Sequence, residues 1–273
     1  MKLTVAVLTL NEENMIKGCL SSIQFADEIL VIDAQSKDKT VEIAKAMHAR
    51  VEITPWEGFS RQRNKALRLA TNDWILFVDA DERVSCALQE ELEQMLQGEE
   101  DFVVGAIPRI NYLLGRKQIR GGWYPDHQIR LIRNSKEITW VGDLHERPVF
   151  NGKMKHFLSP LYHLTHREVL SMLEKTRQYT DIEAKLLFES HTSKVTRFTL
   201  VRKIVGEIYR RGIRQRGFLD GIEGWIEVFF QSYSVFIKYV RLWEYQKEVQ
   251  TKMQYTKIDE IIEKEVEECH SHG

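Results

Sequence analysis

Apolar runs alternate with amphipathic segments over roughly the first eighty residues of the chain. Short runs rich in β-branched residues predict strands, and the segments between them have the periodicity of helices. The predicted strands are TVAVLTL, EILVID, RVEIT and WILFVD, and the predicted helices cover 11–23, 38–47 and 60–70. Asn11 and Asp38 are the expected N-caps of the first two helices. Strands alternating with helices are typical of βαβ units, so we predict a mostly parallel, Rossmann-like α/β sheet flanked by helices.

The pattern changes after residue 100. FVVGAIPRINYLL predicts a long strand, GRKQIRGGWYPDH a Gly-rich loop, and the alternation in QIRLIR another strand. From about His166 the pattern is helical to the end of the chain. We therefore expect a sheet domain over 1–165 and a helical C-terminal extension over 166–273.

Composition narrows the classes of protein that are possible. The chain has 273 residues, of which 43% are hydrophobic, which suits one large domain with an extension. A net charge of −1 gives no support for a nucleic acid partner. The three cysteines are far apart and match neither a zinc site nor a disulfide framework, which favours a reducing compartment. The N-terminus lacks signal-peptide features and no stretch is long and apolar enough to span a bilayer, so we expect a cytoplasmic protein.

Polar residues follow the ends of three predicted strands. They are Thr9 to Glu12, Asp33, and Asp79 to Glu82. In parallel α/β sheets, ligands bind beyond the carboxyl ends of the strands. Residues that are distant in sequence are therefore expected to meet at one sheet edge, where they would form a site.

The segment DADE, residues 79–82, places three carboxylates within four residues, where they repel one another. One interpretation is a charged turn. A calcium loop needs oxygen ligands that Arg83 and the residues after it do not supply. A phosphatase of the haloacid dehalogenase type needs Thr or Val in place of Arg83. The remaining interpretation is a Mg²⁺ or Mn²⁺ site serving a nucleotide diphosphate, with Asp79 and Asp81 on the same side of an extended segment.

A basic cluster in GFSRQRNKAL lies at the start of the third predicted helix. Arg61, Arg63 and Lys65 would stand beside the helix N-terminus, which favours binding of a diphosphate. The alternative is a solvated basic helix face.

The three strand ends and the basic helix start are contained in four stretches, which are TVAVLTLNEE, VIDAQSKDKT, FSRQRNKAL and WILFVDADE. In this order they resemble the nucleotide-sugar half of family 2 glycosyltransferases, which have the GT-A fold. GGWYPDHQIRLIR, WVGDLHE and RGFLDGIEGW are similar to the branch that contains bacterial lipopolysaccharide inner-core β-1,4-glucosyltransferases. The resemblance covers about residues 2–245. One departure is Gln35, where the wider family often has Gly.

The resemblance implies a metal-dependent, inverting transfer of glucose from UDP-glucose to a heptose of the lipopolysaccharide inner core. The QxxRW motif of processive members is absent, so a single sugar is expected per acceptor. Another glycan, a polyprenyl phosphate or a peptide remains open as the acceptor. A non-catalytic nucleotide-sugar-binding protein on the same fold is a further alternative.

The resemblance also implies roles for individual residues. Asp33 would contact uridine, Asp79 would lie near ribose and metal, and Asp81 would be the ligand of Mg²⁺ or Mn²⁺. His145 is a candidate to complete the metal site. The candidate contacts to the nucleotide sugar are Thr9, Asn11, Glu12, Asp33, Arg61, Arg63, Asn64, Lys65 and Asp79.

Inverting sugar transfer needs a carboxylate that takes the proton of the acceptor hydroxyl. Asp126, in YPDHQIRL, matches the place of the family's later acidic motif and is the first candidate. Glu146, in GDLHE, is its rival, and Asp143 is a third candidate.

Residues 194–216 hold eight Lys or Arg and one acid, Glu207, interleaved with apolar residues. The next segment is rich in aromatic residues at near-helical spacing. Together they favour a surface helix against anionic lipid headgroups, and hence peripheral association with the cytoplasmic face of the inner membrane. In the alternative, the aromatic residues pack on the sheet domain and the basic face is solvated.

Overall fold

A computed structural model describes residues 1–135, 137–142 and 146–271, and the side chains of 249–250 and 264–271 are not considered. The strands are β1 Leu3–Thr9, β2 Glu28–Asp33, β3 Arg50–Ile53, β4 Trp74–Asp79, β5 Glu82–Val84, β6 Val104–Leu113, β7 Arg116–Gln118, β8 Asp126–Arg133, β9 Thr139–Val141, β10 Arg147–Val149, β11 Met154–His156 and β12 Leu161–His163. The helices are α1 Ile16–Ser21, α2 Thr40–Ala46, α3 Phe59–Leu69, α4 Cys86–Gln97, α5 Val169–Glu189, α6 Arg197–Ile208 and α7 Gly221–Ser271. A π-helical turn, Tyr209–Arg214, and a 3₁₀ turn, Gly217–Leu219, connect α6 to α7.

The central sheet has the strand order β3-β2-β1-β4-β8-β6-β12-β5. Its first half is parallel, because β1 pairs in parallel with both β2 and β4, and β2 with β3. Strand β8 then enters antiparallel between β4 and β6. The predicted α/β class is confirmed, and the insertion of β8 brings residues of the second half of the sheet beside the end of β4.

The core forms two layers, one on each face of the sheet. Val5 and Val7 point to the face covered by α1 and α4, whereas Ala6 points to the face covered by α3. Fully buried side chains such as Trp74 and Phe77 each contribute roughly 1.5–3 kcal/mol by leaving water. Burial on both faces explains why β1 and β4 are continuous apolar runs.

Both predicted N-caps were wrong. Helix α1 begins at Ile16 after Met15, because Asn11 has a φ of 55° and its side-chain oxygen accepts a hydrogen bond from the Lys37 backbone at 2.8 Å. Helix α2 begins at Thr40 after Lys39. Asp38 instead accepts hydrogen bonds from Thr40 and from the Glu13 backbone. Both residues therefore connect the two loops rather than start a helix.

The C-terminal region is helical from Val169, which confirms the expected helical extension. Ala184 of α5 and Val195 form a small core with Tyr239 and Leu242 of α7. Within the described residues, every helix is too short or too polar to cross a lipid bilayer. The domain boundary at residue 165 stays a prediction.

Candidate active site

The DADE segment lies at the carboxyl end of β4. The strand ends at Asp79, the chain turns through Ala80 and Asp81, and Glu82 begins β5. The expectation of an extended segment, with Asp79 and Asp81 on one side, was therefore wrong. The turn separates the carboxylates, so that each of them has different partners.

Arginines from neighbouring strands neutralise Asp79 and Glu82. Arg130 of β8 donates from one terminal nitrogen to Asp79 Oδ2 at 2.5 Å and to Glu82 Oε1 at 2.6 Å. Arg63 reaches Asp79 Oδ1 at 3.4 Å, and Arg109 of β6 reaches Glu82 Oε1 at 3.2 Å. Glu82 and Arg130 are buried, so each charge depends on the others. Much of the repulsion within DADE is thus relieved by the protein's own cations.

These arginines set the charge of Asp79. Burial by itself raises the pKa of that carboxyl, but the charges of Arg130 and Arg63 outweigh burial and hold the pKa well below its usual range. Asp79 is therefore ionised at neutral pH. The sequence analysis missed Arg109 and Arg130, although charged positions inside predicted apolar strands are a usable signal, since a buried arginine needs a carboxylate partner.

Asp81 has a different partner, His163 of β12. The Asp81 Oδ2 atom lies 3.3 Å from His163 Nε2. Burial raises the pKa of Asp81, and the hydrogen bond and charge of His163 lower it below the usual value overall. Sequence reasoning missed His163, because an isolated histidine in a short strand carries no motif.

Asn111, which is fully buried, fixes the hydrogen on one ring nitrogen of this histidine. Its amide nitrogen donates to Trp123 O at 3.0 Å and to Asp126 Oδ2 at 3.3 Å. Its amide oxygen lies 2.6 Å from His163 Nδ1 and can only accept, so Nδ1 carries a hydrogen. The other nitrogen, Nε2, then presents to the Asp81 carboxylate either a second proton or a lone pair.

This pair fits a divalent cation. A carboxylate suits Mg²⁺ or Mn²⁺, and metal-ligating histidines usually donate their other ring nitrogen to an oxygen. Adjacent ligands of an octahedral ion with bonds of about 2.1 Å stand about 3 Å apart, close to the observed separation. The described part of the chain contains no cluster of three or more His, Cys, Asp or Glu suited to a metal. Mg²⁺ typically takes one or two carboxylate ligands from a protein and the others from phosphate and water.

The two candidates for the catalytic base pair with different arginines, Asp126 with Arg109 and Glu146 with Arg63. Asp126, predicted in a loop, is instead the first residue of β8, and its Oδ2 accepts from Arg109 at 2.6 Å. Burial raises the pKa of Asp126, but the charge of Arg109 and the hydrogen bond from Gln128 lower it below the usual value overall. Glu146 Oε1 accepts from Arg63 at 3.0 Å. His145 and Asp143 lie outside the described residues.

The candidates at the ends of β1 and β2 form a connected loop. Asp33 is fully buried and accepts hydrogen bonds from Thr9 Oγ1 at 2.9 Å and from Ser36 Oγ at 2.6 Å. Ser36 Oγ also accepts from the Asn11 backbone at 2.8 Å. In this arrangement Asp33 holds the loop after β2 against the end of β1 through hydrogen bonds. Its predicted contact with uridine needs the side chain to become accessible and stays a prediction.

Glu12 is influenced by the DADE carboxylates. Burial, followed by the negative charge of Asp81, raises the pKa of Glu12 to about 7. This side chain is therefore partly protonated at neutral pH. It can donate a hydrogen bond as well as accept one.

The four candidates on α3 have different environments. Arg63 is buried, and its guanidinium lies 4.9 Å from the Trp140 ring. The Asn64 side chain forms two hydrogen bonds of 2.8 Å with the backbone of Trp140, and these bonds connect α3 to β9. Arg61 is largely exposed beside Glu57, and Lys65 is half-buried. The structure thus brings Arg63 to the carboxylates and leaves Arg61 at the surface.

The geometry is that of an acid-rich site with a candidate cation position at a sheet edge. The sequence of the whole chain is similar to those of known proteins. The family model "Glycosyl transferase family 2" matches residues 4–205. An uncharacterized glycosyltransferase of Rickettsia conorii is 25% identical over 89% of this chain and 90% of its own length. The lipopolysaccharide core biosynthesis glycosyltransferase LpsC of Rhizobium meliloti is 27% identical over 69% of this chain and 72% of its own length.

A crystal structure of glucosyl-3-phosphoglycerate synthase from Mycobacterium tuberculosis, in complex with Mn²⁺, UDP and glucosyl-3-phosphoglycerate, superposes with a TM-score of 0.35. It is 24% identical over 41% of this chain and 44% of that chain. The family match covers most of the chain, including the sheet and α5. The chain belongs to glycosyl transferase family 2, and within that family it resembles lipopolysaccharide core enzymes.

Proposed function

We propose that this glycosyltransferase moves one glucosyl residue from UDP-glucose to a heptose of the lipopolysaccharide inner core, with inversion at the anomeric carbon. The observation that carries the proposal is the pairing of Asp81 with His163, whose Nδ1 hydrogen is held by Asn111, at the edge where DADE ends β4. The relative named for lipopolysaccharide core biosynthesis supports the acceptor class. Glucose as the donor sugar follows from the resemblance described above.

The proposed donor site lies between the ends of β1, β2 and β4. Asp81 and His163 would hold Mg²⁺ or Mn²⁺, with Asp79 beside them. A bound ion of this kind stabilises the negative charge of the departing diphosphate. The loop of Thr9 to Glu12, with Asp33 beneath it, would flank the nucleoside.

Asp126 is the proposed base. It accepts the proton of the acceptor hydroxyl while that oxygen forms a bond to the anomeric carbon. The bond from this carbon to the diphosphate oxygen breaks, and its electron pair leaves with UDP. Because Arg109 and Gln128 contribute to keeping the pKa of Asp126 low, the carboxylate is ionised and able to accept a proton at neutral pH.

The helical extension, 166–273, is proposed to bring the enzyme to its amphiphilic acceptor at the membrane surface. Phe198, Val201 and Val205 form one stripe on α6, and each is more than half exposed. Exposed arginines, among them Arg197 and Arg202, flank the stripe. Exposed apolar side chains beside cations are complementary to a bilayer with anionic headgroups.

The test is UDP release from UDP-, GDP- and ADP-sugars, with a lipopolysaccharide core acceptor, in Mn²⁺, in Mg²⁺ and in EDTA. We expect metal-dependent release from UDP-glucose that rises with acceptor and is lost in Asp81→Ala. Turnover of a different donor would overturn the glucose assignment. Full activity in EDTA would overturn the metal assignment.

The same assay separates the two candidate bases. Asp126→Asn is expected to lower turnover by about 10²–10⁴-fold while UDP binding remains. Glu146→Gln is the matched variant and is expected to retain most of the turnover. The opposite result, with turnover lost in Glu146→Gln and kept in Asp126→Asn, would transfer the role of base to Glu146.

A further inference from the structure

Helix α5 runs directly from the candidate metal pair. The Leu164 backbone, one residue after β12, donates to Asp81 O at 2.9 Å, and α5 begins at Val169. One side of α5 is fixed to α7, because Thr176 is buried and its hydroxyl lies 3.2 Å from Ser234 Oγ. The start of the helix is thus held beside the carboxylates of the site.

A different side of α5 carries two residues that are electrostatically coupled to those carboxylates. Lys175 and Tyr179 are one turn apart and share this side. Lys175 interacts electrostatically with Glu12 and Asp81. Burial, followed by the negative charges of Glu146 and of the DADE aspartates, raises the pKa of Tyr179. A helix outside the sheet therefore contributes a positive charge to the site.

The arginines nearest the site are already engaged. Arg63 pairs with Asp79 and Glu146, Arg130 with Asp79 and Glu82, and Arg109 with Glu82 and Asp126. A diphosphate would have to compete with these carboxylates for them, at the cost of exposing buried acids.

Lys175 differs from these arginines. It is exposed, and it forms no salt bridge with any carboxylate in the described parts of the chain. Its flexible ammonium group is thus free to bind an anion that enters the site.

We propose that Lys175 binds the diphosphate of the nucleotide-sugar donor. The proposal rests on the proposed function, since it requires a nucleoside diphosphate beside Asp81. A lysine binds phosphate as a point charge through charge-assisted hydrogen bonds. The charge on the diphosphate grows as UDP departs, so Lys175 also stabilises the leaving group.

The experiment compares the binding of UDP with that of uridine by calorimetry in Mn²⁺. Lys175→Met is expected to weaken UDP binding about tenfold and to leave uridine binding unchanged, because only UDP carries the diphosphate. Lys175→Arg is expected to recover most of the loss. The control is Lys185→Met on the same helix, an exposed lysine beside Glu189 whose loss should change neither affinity.

Three results would overturn the proposal. If UDP affinity is the same in Lys175→Met and wild type, the lysine does not contact the diphosphate. If UDP and uridine weaken equally, the effect is structural. If UDP affinity stays constant while the KM of the acceptor rises, Lys175 serves an anionic acceptor group instead. Failure of the wild type to bind UDP would count against the proposed function itself.

Discussion

The sheet and helix α6 of the extension differ in where their charged side chains lie. In the sheet, Arg130 and Glu82 are buried and joined at 2.6 Å, in a network that contains Asp79 as well. In the extension, Arg197 and Arg202 are exposed to solvent, and so is the apolar side chain of Phe198 between them. The sheet buries charge and the extension exposes apolar surface, each against the general tendency of folded proteins.

The buried charge of the sheet and the exposed apolar surface of the extension show where function limits stability. A buried network of ion pairs gains little over an apolar core, but it holds its carboxylates in one arrangement. An exposed apolar stripe gives up burial energy but leaves a surface for a partner. The contrast is not complete, because the extension also holds a buried acid, Glu227 of α7, whose Oε2 atom lies 3.9 Å from His166 Nδ1.

The largest effect on stability is expected from Arg130→Met. Removing this side chain leaves Asp79 and Glu82 near one another without their shared cation, and the expected loss is about 3–5 kcal/mol in the free energy of unfolding. Urea unfolding monitored by circular dichroism measures it. Adding Glu82→Gln should restore part of the loss, because it removes one of the two carboxylate charges that Arg130 had neutralised.

The control for this variant lies in the extension. Arg241 pairs with Asp181 and Glu244 at the surface, so Arg241→Met should cost less than about 1 kcal/mol. Equal losses in the two variants would contradict the contrast between a buried network in the sheet and solvated charges in the extension.

An intermediate effect is expected at Glu227. Burial raises the pKa of Glu227 to about 7 in the folded protein, above the usual value of about 4.3 for an unfolded chain. Between these values the folded state keeps a proton that the unfolded state has lost, so stability falls as pH rises from about 4.3 to about 7. Glu227→Gln removes this dependence and should stabilise the protein by up to about 4 kcal/mol at pH 8.

Thermal unfolding of wild type and Glu227→Gln at pH 4.5 and pH 8 tests this prediction. The two proteins should differ most at pH 8 and least at pH 4.5. The control, Glu248→Gln, changes an exposed carboxylate further along α7, beside Lys252, and should show no such pH-dependent gain. A constant difference at both pH values would mean that the carboxyl does not titrate in this range.

The smallest effect on stability is expected on the α6 stripe. Replacing Phe198, Val201 and Val205 together by Ser should change the free energy of unfolding by no more than about 0.5 kcal/mol per site, because all three are exposed. Flotation with anionic liposomes at low salt should nevertheless show reduced binding. Ile261→Ser is the control at an exposed apolar position on α7. Failure of the wild type to float with these liposomes would remove the membrane proposal.

Local patterns predicted the elements of the first half of the sheet well. Apolar runs bounded by polar residues indicate buried strands, and β1 and β4 begin and end within a residue or two of the predicted bounds. The N-caps at Asn11 and Asp38 failed because the side chains of both bind backbone across the two adjacent loops. Such contacts depend on how β1 and β2 lie side by side.

The sequence by itself determined the α/β class, the family and the concentration of acids at the end of β4, because these follow from apolar periodicity and from the order of motifs. Only the tertiary structure decided which cation meets which acid. Arg130 reaches Glu82 across 48 positions because β8 inserts antiparallel beside β4, and β12 brings His163 to Asp81. The pairing of distant strands depends on packing of the whole sheet, and no local pattern encodes it.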